Sequence, residues 1–311
     1  MSPIHSNESS PSHAMLAACR HANTILRNWF DRAAASDNRE AFMGTIVKSN
    51  DYAHYGYEDV VTQADQDSEE AILPHLRACR DIPIVAEESC PNCADWPDGT
   101  QRWLVDPLDG TSRFKKGLQD FSVTLALQTK KGGRWITDIG MVSVPMEDKI
   151  YVADHERAYV VHQEDKAPLT HQAIEPVAFS GGIDDALRGK TIEIVSYSKK
   201  NQTIIKMREK LLSGPFHAQA SFSTALVMAK MAEPNGVDGV MLAGNALDYD
   251  WDIHAAQHIA EKAGIFSKEG TLDGEPVVFL AKSKAILRAL EMRFKQLYCD
   301  TKAELETSHE R

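Results

Sequence analysis

The run Trp103-Leu104-Val105-Asp106-Pro107-Leu108-Asp109-Gly110-Thr111 constrains this chain more than any other segment. It begins as an apolar strand, continues into two carboxylates that bracket Pro-Leu, and closes in a Gly-Thr turn. An aspartate at the end of a buried strand has its position fixed by the sheet. Pro107 fixes its own φ and pushes Asp106 toward extended geometry, so both carboxylates can face one point. Hard divalent ions such as Mg²⁺ take oxygen ligands at short, near-octahedral distances. Clustered carboxylates and a backbone carbonyl suit them, whereas His and Cys sets suit zinc. Gly110 allows close backbone approach and Thr111 adds a hydroxyl. Taken alone, Asp-Pro-x-Asp-Gly also fits an ordinary acidic turn after a strand.

Three other segments bring oxygen ligands to element ends. Pro83-Ile84-Val85-Ala86-Glu87-Glu88-Ser89 is a short apolar strand delivering paired glutamates, and Asp59-Val60-Val61-Thr62-Gln63-Ala64-Asp65 opens a helical stretch. In Asp250-Trp251-Asp252-Ile253-His254-Ala255-Ala256, Asp252 falls at the expected start of a helix. In this order the four segments resemble the signature of the inositol monophosphatase superfamily of Mg²⁺-dependent, lithium-inhibited phosphatases, over roughly residues 12 to 300.

The resemblance implies an α/β fold, a layered α-β-α-β-α sandwich of two lobes like inositol monophosphatase and fructose-1,6-bisphosphatase, with the site between the lobes. It implies two or three Mg²⁺ ions per site, with Mn²⁺ able to substitute and Li⁺ inhibitory. Carried over by motif, the ligands are Glu87, Asp106, the Leu108 carbonyl, Asp109 and Asp252, with Asp106 bridging two ions. Glu87 with Thr111 would orient and help deprotonate the attacking water, and Asp65 would support a weaker metal site or a metal-bound water. Asp109, Gly110, Thr111 and Asp252 would also face the substrate phosphate and hydroxyls. Glu88 is expected behind this shell, since adjacent strand residues point to opposite faces.

Substrate is read from finer resemblances. Inositol monophosphatases carry a glutamate seven residues before the Trp-Asp aspartate; here that position is Asn245. The stretch from Thr111 to Thr124, with Gly117-Leu118-Gln119-Asp120, resembles 3'(2'),5'-bisphosphate nucleotidases in spacing. So does Ser196-Tyr197-Ser198-Lys199-Lys200, although their usual Lys-Glu after Asp-Gly-Thr is Ser112-Arg113 here. The segment Ser221 to Ala225, with Ser223 and Thr224, matches one that lines the substrate pocket across the superfamily. The favoured substrate is therefore a bisphosphate nucleotide such as adenosine 3',5'-bisphosphate, with Lys116 and Lys200 on its second phosphate. The alternatives are an inositol or sugar monophosphate, and a catalytically inactive metal- or phosphate-binding homologue, which would be expected to lack at least one ligand.

A formal charge of −11 opposes binding to nucleic acid polymers and anionic membranes. It also makes bound cations necessary before an anionic substrate can approach a carboxylate-lined site. Local basic residues, Arg113, Lys115, Lys116, Lys199 and Lys200, fit either of two readings, assistance to an anionic substrate or solvated surface. No apolar run approaches the roughly 20 residues needed to cross a bilayer, and a cytoplasmic, soluble protein acting on a small phosphorylated metabolite is expected, as a homodimer like its relatives. The 5 cysteines are an odd number without an export signal, which favours reduced thiols. Cys90 and Cys93 read as a loop pair rather than a redox switch, lacking both a second ligand pair and a following helix. His254 and His258 stand i, i+4 with no Glu between them and read as packing residues, as does Trp251.

Met15, Cys19, Ala22, Leu26 and Trp29 recur at helical spacing, which predicts an amphipathic helix over about 12 to 34. A strand at 45 to 49, a helix from 62 to 79, and strands at 83 to 88 and 102 to 106 follow. Strands at 121 to 128, 135 to 144, 149 to 154 and 158 to 162 form an antiparallel meander. After a Pro/Gly-bearing boundary at about 165 to 190 come strand 191 to 197, helices 201 to 213 and 222 to 233, strand 237 to 242, helix 251 to 264, strand 277 to 281 and helix 284 to 299. The domain reading is a flexible terminus (1–11), an N-terminal lobe carrying most ligands (12–185), a C-terminal α/β lobe (186–300) and a flexible tail (301–311).

Overall fold

The computed structural model describes residues 10–44, 46–49, 59–89, 96–162, 165–169, 183–196, 202–212, 217–220, 223–244, 250–272 and 274–309. In chain order these form α1 (Pro11–Ala34), α2 (Arg39–Phe42), β1 (Ile46–Ser49), β2 (Asp59–Val61), α3 (Gln63–Cys79), β3 (Ile84–Ala86), β4 (Gln101–Asp109), α4 (Thr111–Lys115), β5 (Ser122–Lys131), β6 (Arg134–Val144), β7 (Lys149–Ala153), β8 (Ala158–His162) and β9 (Asp165–Leu169). Then come α5 (Ile183–Leu187), β10 (Thr191–Ser196), α6 (Gln202–Leu212), β11 (His217–Ala220), α7 (Thr224–Met231), β12 (Gly239–Ala243), α8 (Asp250–Lys262), β13 (Phe266–Leu272), β14 (Glu275–Ala281) and α9 (Lys284–His309).

Trp103-Leu104-Val105 of β4 is continuously apolar because both faces of the strand are covered there. Trp103 and Val105 pack with Leu26, Phe30 and Ile72 of α1 and α3. Leu104, one residue out of phase, packs with Leu226 and Trp251 of α7 and α8. The sheet containing β4 has seven strands in the order β3-β4-β5-β6-β7-β8-β9, antiparallel except for the parallel β3-β4 pair. A second sheet of five strands runs β11-β10-β12-β14-β13, with β10 parallel to both its neighbours and β14 antiparallel to both of its own.

Helices α7 and α8 fill the space between the sheets, where Val240, Leu242 and Leu280 of the second sheet join the same core. The outer face of the second sheet carries Ile192, Ile194 and Phe279 against Met207 of α6 and Phe294 of α9. The result is α1/α3, sheet, α7/α8, sheet, α5/α6/α9, the α-β-α-β-α order expected. Gly140 sets the closeness of one contact, since a Cβ there would come within 2.7 Å of the Ala255 carbonyl of α8.

The structure departs from the sequence reading in several places. Asp59 to Val61 do not begin the helix but pair antiparallel with β1, and helix α3 starts after Thr62. Residues 165–169, read as boundary, are a seventh strand, and β11 and β13 were not anticipated. All three are edge strands: β9 carries Pro168, and most of β13 is exposed. α9 runs on to His309 beyond the expected break at Asp300, because Thr301 is buried, Lys-Ala-Glu-Leu-Glu favours helix, and Glu304 pairs with Lys210 at 2.8 Å.

Candidate active site

In a regular strand, residues three apart point to opposite faces. Asp106 and Asp109 escape this because the β4-β5 register slips between them: Asp106 pairs with Thr124, and Asp109 with Ser122. Three steps along β4 match two along β5, a bulge at Pro107-Leu108, and both carboxylates arrive on the face toward α7 and α8. The bulge is held at both ends. The Leu108 amide donates to Asp106 Oδ1 at 2.8 Å, and Ser68 of α3 donates to the Pro107 carbonyl at 2.9 Å.

The chain then turns through Gly110, whose φ of 94° is closed to most side chains and whose Cβ would lie 3.3 Å from the Asp120 carbonyl. Thr111 follows, with Oγ1 2.9 Å from Asp65 Oδ1 and 3.1 Å from the Leu108 carbonyl oxygen. Asp65 is fixed in turn by its place in the first turn of α3, where Oδ2 accepts from the Thr62 amide at 2.8 Å and the Thr62 hydroxyl at 2.6 Å.

Asp109 is buried and ties the first sheet to α7. Its Oδ2 accepts from the Ser223 hydroxyl at 2.6 Å, the Ala225 amide at 3.0 Å and the Ser122 hydroxyl at 3.1 Å, so it caps the N-terminus of α7 from outside that helix. Ser223 and Thr224, expected against substrate, are both buried, and the Ser223 hydroxyl is turned to Asp109. Glu87 and Glu88 lie in a turn beyond β3 rather than on the strand, so strand alternation does not sort them. The Glu87 amide donates to the Val105 carbonyl at 3.1 Å, and the Glu88 amide to the buried Glu69 carboxylate at 2.9 Å. Asp252 is the third residue of α8, and Lys116 is exposed at the end of α4. Asn245, Lys200, Cys90 and Cys93 lie outside the described residues.

Electrostatics tie the carboxylates together. Burial, then the charges of Glu87, Asp252 and Asp109, hold the Asp106 carboxyl well above the usual carboxylate range. Burial lifts Asp109 to about 6 against the pull of its hydrogen bonds to Ser223 and Ser122. Asp65 also reaches about 6, raised by burial and by Glu87 against the bonds from Thr62 and Thr111. As placed, no three His, Cys, Asp or Glu groups among the described residues close on a shared point. The fit to a cation rests on the donors themselves. They are all hard oxygens, no imidazole or thiol stands among them, and their mutual repulsion is relieved by positive charge.

His254 and His258 take no part. His254 Nδ1 lies 2.7 Å from Gln128 Nε2, and His258 is pressed down to about 4 by burial and Lys262. Trp251 is in the middle core. Sequence reasoning missed Ser122, Ser68, Glu69 and Thr62. Ser122 had a signal, since it sits on the strand after the turn at the spacing that faces Asp109.

The inositol monophosphatase family profile matches residues 12–302. Among curated relatives, "Nus factor SuhB" of Pasteurella multocida is 34% identical over 139 residues, 44% of this chain and 45% of that protein. The match thus spans under half of that relative's length. The SuhB of Vibrio cholerae is 28% identical over 75% of this chain and 77% of its own. "Inositol monophosphatase 2" of tomato, Solanum lycopersicum, is 28% identical over 58% of this chain and 68% of its own. Among solved structures, suhB from Bartonella henselae superposes with a TM-score of 0.68 at 19% identity, covering 92% of this chain and 99% of that one. CysQ from Bacteroides thetaiotaomicron does so at 0.55 and 19%, covering 89% and 98%. With a family match over nearly the whole chain and a layered fold shared with these structures, the chain belongs to the inositol monophosphatase family.

Proposed function

We propose that the chain is a Mg²⁺-dependent phosphomonoesterase. The observation that carries this reading is the bulge that turns Asp106 and Asp109 to one face, beside the Thr111 hydroxyl bound to Asp65. Glu87, Asp106, the Leu108 carbonyl, Asp109 and Asp252 would hold the ions. A divalent cation there supplies the positive charge that lets a phosphate ester enter a carboxylate-lined site and that shares the charge on its oxygens.

The chain's own groups handle the proton. Thr111 Oγ1 donates its hydrogen bond to Asp65 Oδ1 or the Leu108 carbonyl, which leaves a lone pair able to accept one from a water. Glu87, whose charge acts on both Asp65 and Asp106, would accept the second hydrogen and so orient the water oxygen toward phosphorus. Attack forms one P–O bond while the bond to the leaving oxygen breaks; the proton shed by the water passes to Glu87, and the leaving oxygen takes one up from solvent.

The favoured substrate is a 3'(2'),5'-bisphosphate nucleotide. The residue type at Asn245, the spacing from Thr111 through Asp120 and the exposed Lys116 support it. Arg113 does not add to that support, since its guanidinium is engaged by Asp120 at 2.5 Å. An inositol or sugar monophosphate is the second reading, favoured by the name of the tomato relative. The charge of −11 supports a small anionic ligand over a nucleic acid polymer even though several relatives are named Nus factors.

The test is phosphate release from adenosine 3',5'-bisphosphate, inositol 1-phosphate and fructose 1,6-bisphosphate by chelator-treated protein, before and after Mg²⁺ is restored. Release that needs Mg²⁺ and is fastest with the nucleotide supports both levels. Faster release from inositol 1-phosphate keeps the phosphatase and removes the nucleotide. No release with any of them removes the phosphatase reading.

A further inference from the structure

Arg102 is fully buried in β4, four residues before Asp106 and therefore on the same face. Removing a guanidinium from water costs several kcal/mol unless every donor is used well, so its partners matter. Nη2 lies 2.6 Å from Asp250 Oδ2, Nε donates to Gln128 Oε1 at 2.8 Å, and the guanidinium carbon sits 4.1 Å from the Trp135 ring centroid. Gln128 is the register partner of Arg102 on β5, and its Nε2 is 2.7 Å from His254 Nδ1. Thr124, the register partner of Asp106, donates to the Trp251 carbonyl at 2.7 Å. One face of the β4-β5 pair thus grips residues 250, 251 and 254, the turn of α8 that carries Asp252.

We propose that Arg102, through Asp250 and with Gln128 beside it, is a positioning residue that fixes where Asp252 stands relative to Asp106. This rests on the reading of Asp106 and Asp252 as metal ligands. Apolar packing of Trp251, Ala255 and Ala256 against Leu104 and Ala126 holds α8 to the sheet but is not directional. A planar fork bonded to two acceptors on two elements sets the rotation of the helix as well as its distance. Asp252 needs that, since carboxylates on different elements must converge to share an ion, and a misplacement of about 1 Å can cost about a hundredfold in rate.

The experiment compares wild type, Arg102→Lys, Asp250→Asn and the double variant. Mn²⁺ binding is read by electron paramagnetic resonance without substrate, alongside kcat, KM and thermal midpoint. Lysine keeps the charge and loses the fork; asparagine keeps the shape and loses the charge. Each single variant is expected to weaken Mn²⁺ binding at least tenfold and to lower kcat with KM changed less than twofold. The double variant should be no worse than the weaker single, because the two residues act as a unit. Tyr151→Phe, which removes the hydrogen bond to Glu233 at 2.7 Å on β7, three strands along the sheet from β4, should lower the midpoint and leave Mn²⁺ affinity unchanged. If Arg102→Lys does not fold, Asp250→Asn decides alone. Variants that are less stable yet bind Mn²⁺ within twofold of wild type would overturn the positioning role and leave Arg102 a packing residue. A wild type that binds no Mn²⁺ would overturn the metal reading, and this proposal with it.

Discussion

Ser223→Ala separates two accounts of the same hydroxyl. As a substrate contact, its loss would raise KM and leave stability alone. In the structure it donates at 2.6 Å to Asp109, a buried carboxylate that also receives the Ser122 hydroxyl and the Ala225 amide. A hydrogen bond to a charged group contributes about 1.5 to 3 kcal/mol. Alanine leaves little cavity, so this term dominates. Unfolding entropy of about 2.1 cal/mol/K per residue over 311 residues amounts to about 0.65 kcal/mol/K, which turns 2 kcal/mol into a fall in midpoint of about 3 °C. Asp109, with one donor fewer, becomes harder to ionise, so Mg²⁺ is held more weakly while KM for substrate at saturating Mg²⁺ stays near wild type. Differential scanning calorimetry in chelator, followed by a Mg²⁺ titration of activity, reads both. An unchanged midpoint together with a raised KM would refute the placement of Ser223 as an anchor for Asp109.

Thr111→Ala is expected to lower kcat by about 10²-fold or more with KM nearly unchanged, since the hydroxyl acts on water in the transition state; equal effects on the two constants would assign it to substrate binding. His258 is neutral in the folded protein down to about 4, and its Nε2 is buried without a hydrogen-bond partner among the described residues. The unfolded chain takes up that proton near 6.5, so the stabilisation is complete above pH 6.5 and is lost as pH falls toward 4. His258→Gln should therefore lose about 2 kcal/mol less than wild type between pH 7 and pH 5 in urea unfolding, and parallel pH profiles would contradict the burial argument. Li⁺ should inhibit phosphate release in competition with one weakly held Mg²⁺; activity indifferent to Li⁺ would mean that the ion sites differ from those proposed.

The interior of the fold was readable in the sequence because buried elements carry strong periodic signals. The spacing from Met15 to Trp29 marks α1, and the apolar strand before Asp106 marks β4. The misses fall where that signal fades. β9, β11 and β13 are all edge strands: β9 carries Pro168, β13 carries Lys268 and Glu269, and β11 is only His-Ala-Gln-Ala, so none shows the alternating apolar pattern a reader looks for. The acidic residues of the site stood out as a set. The bulge did not, since a one-residue slip in register leaves no mark in composition yet decides which face Asp109 occupies. Arg102 was hidden for another reason: its partner Asp250 is 148 positions away, and nothing local to an arginine in an apolar strand tells what it meets.

The central claim, that the carboxylates gathered by the β4 bulge hold divalent ions, is tested most directly by anomalous diffraction from crystals grown with Mn²⁺. Peaks within about 2.0 to 2.3 Å of Asp106 and Asp109 oxygens, with Glu87 or Asp252 completing the shell, are the predicted result, and Asp106→Asn should remove them. Manganese bound elsewhere on the chain, with no peak at Asp106 while phosphate is released, would contradict the account.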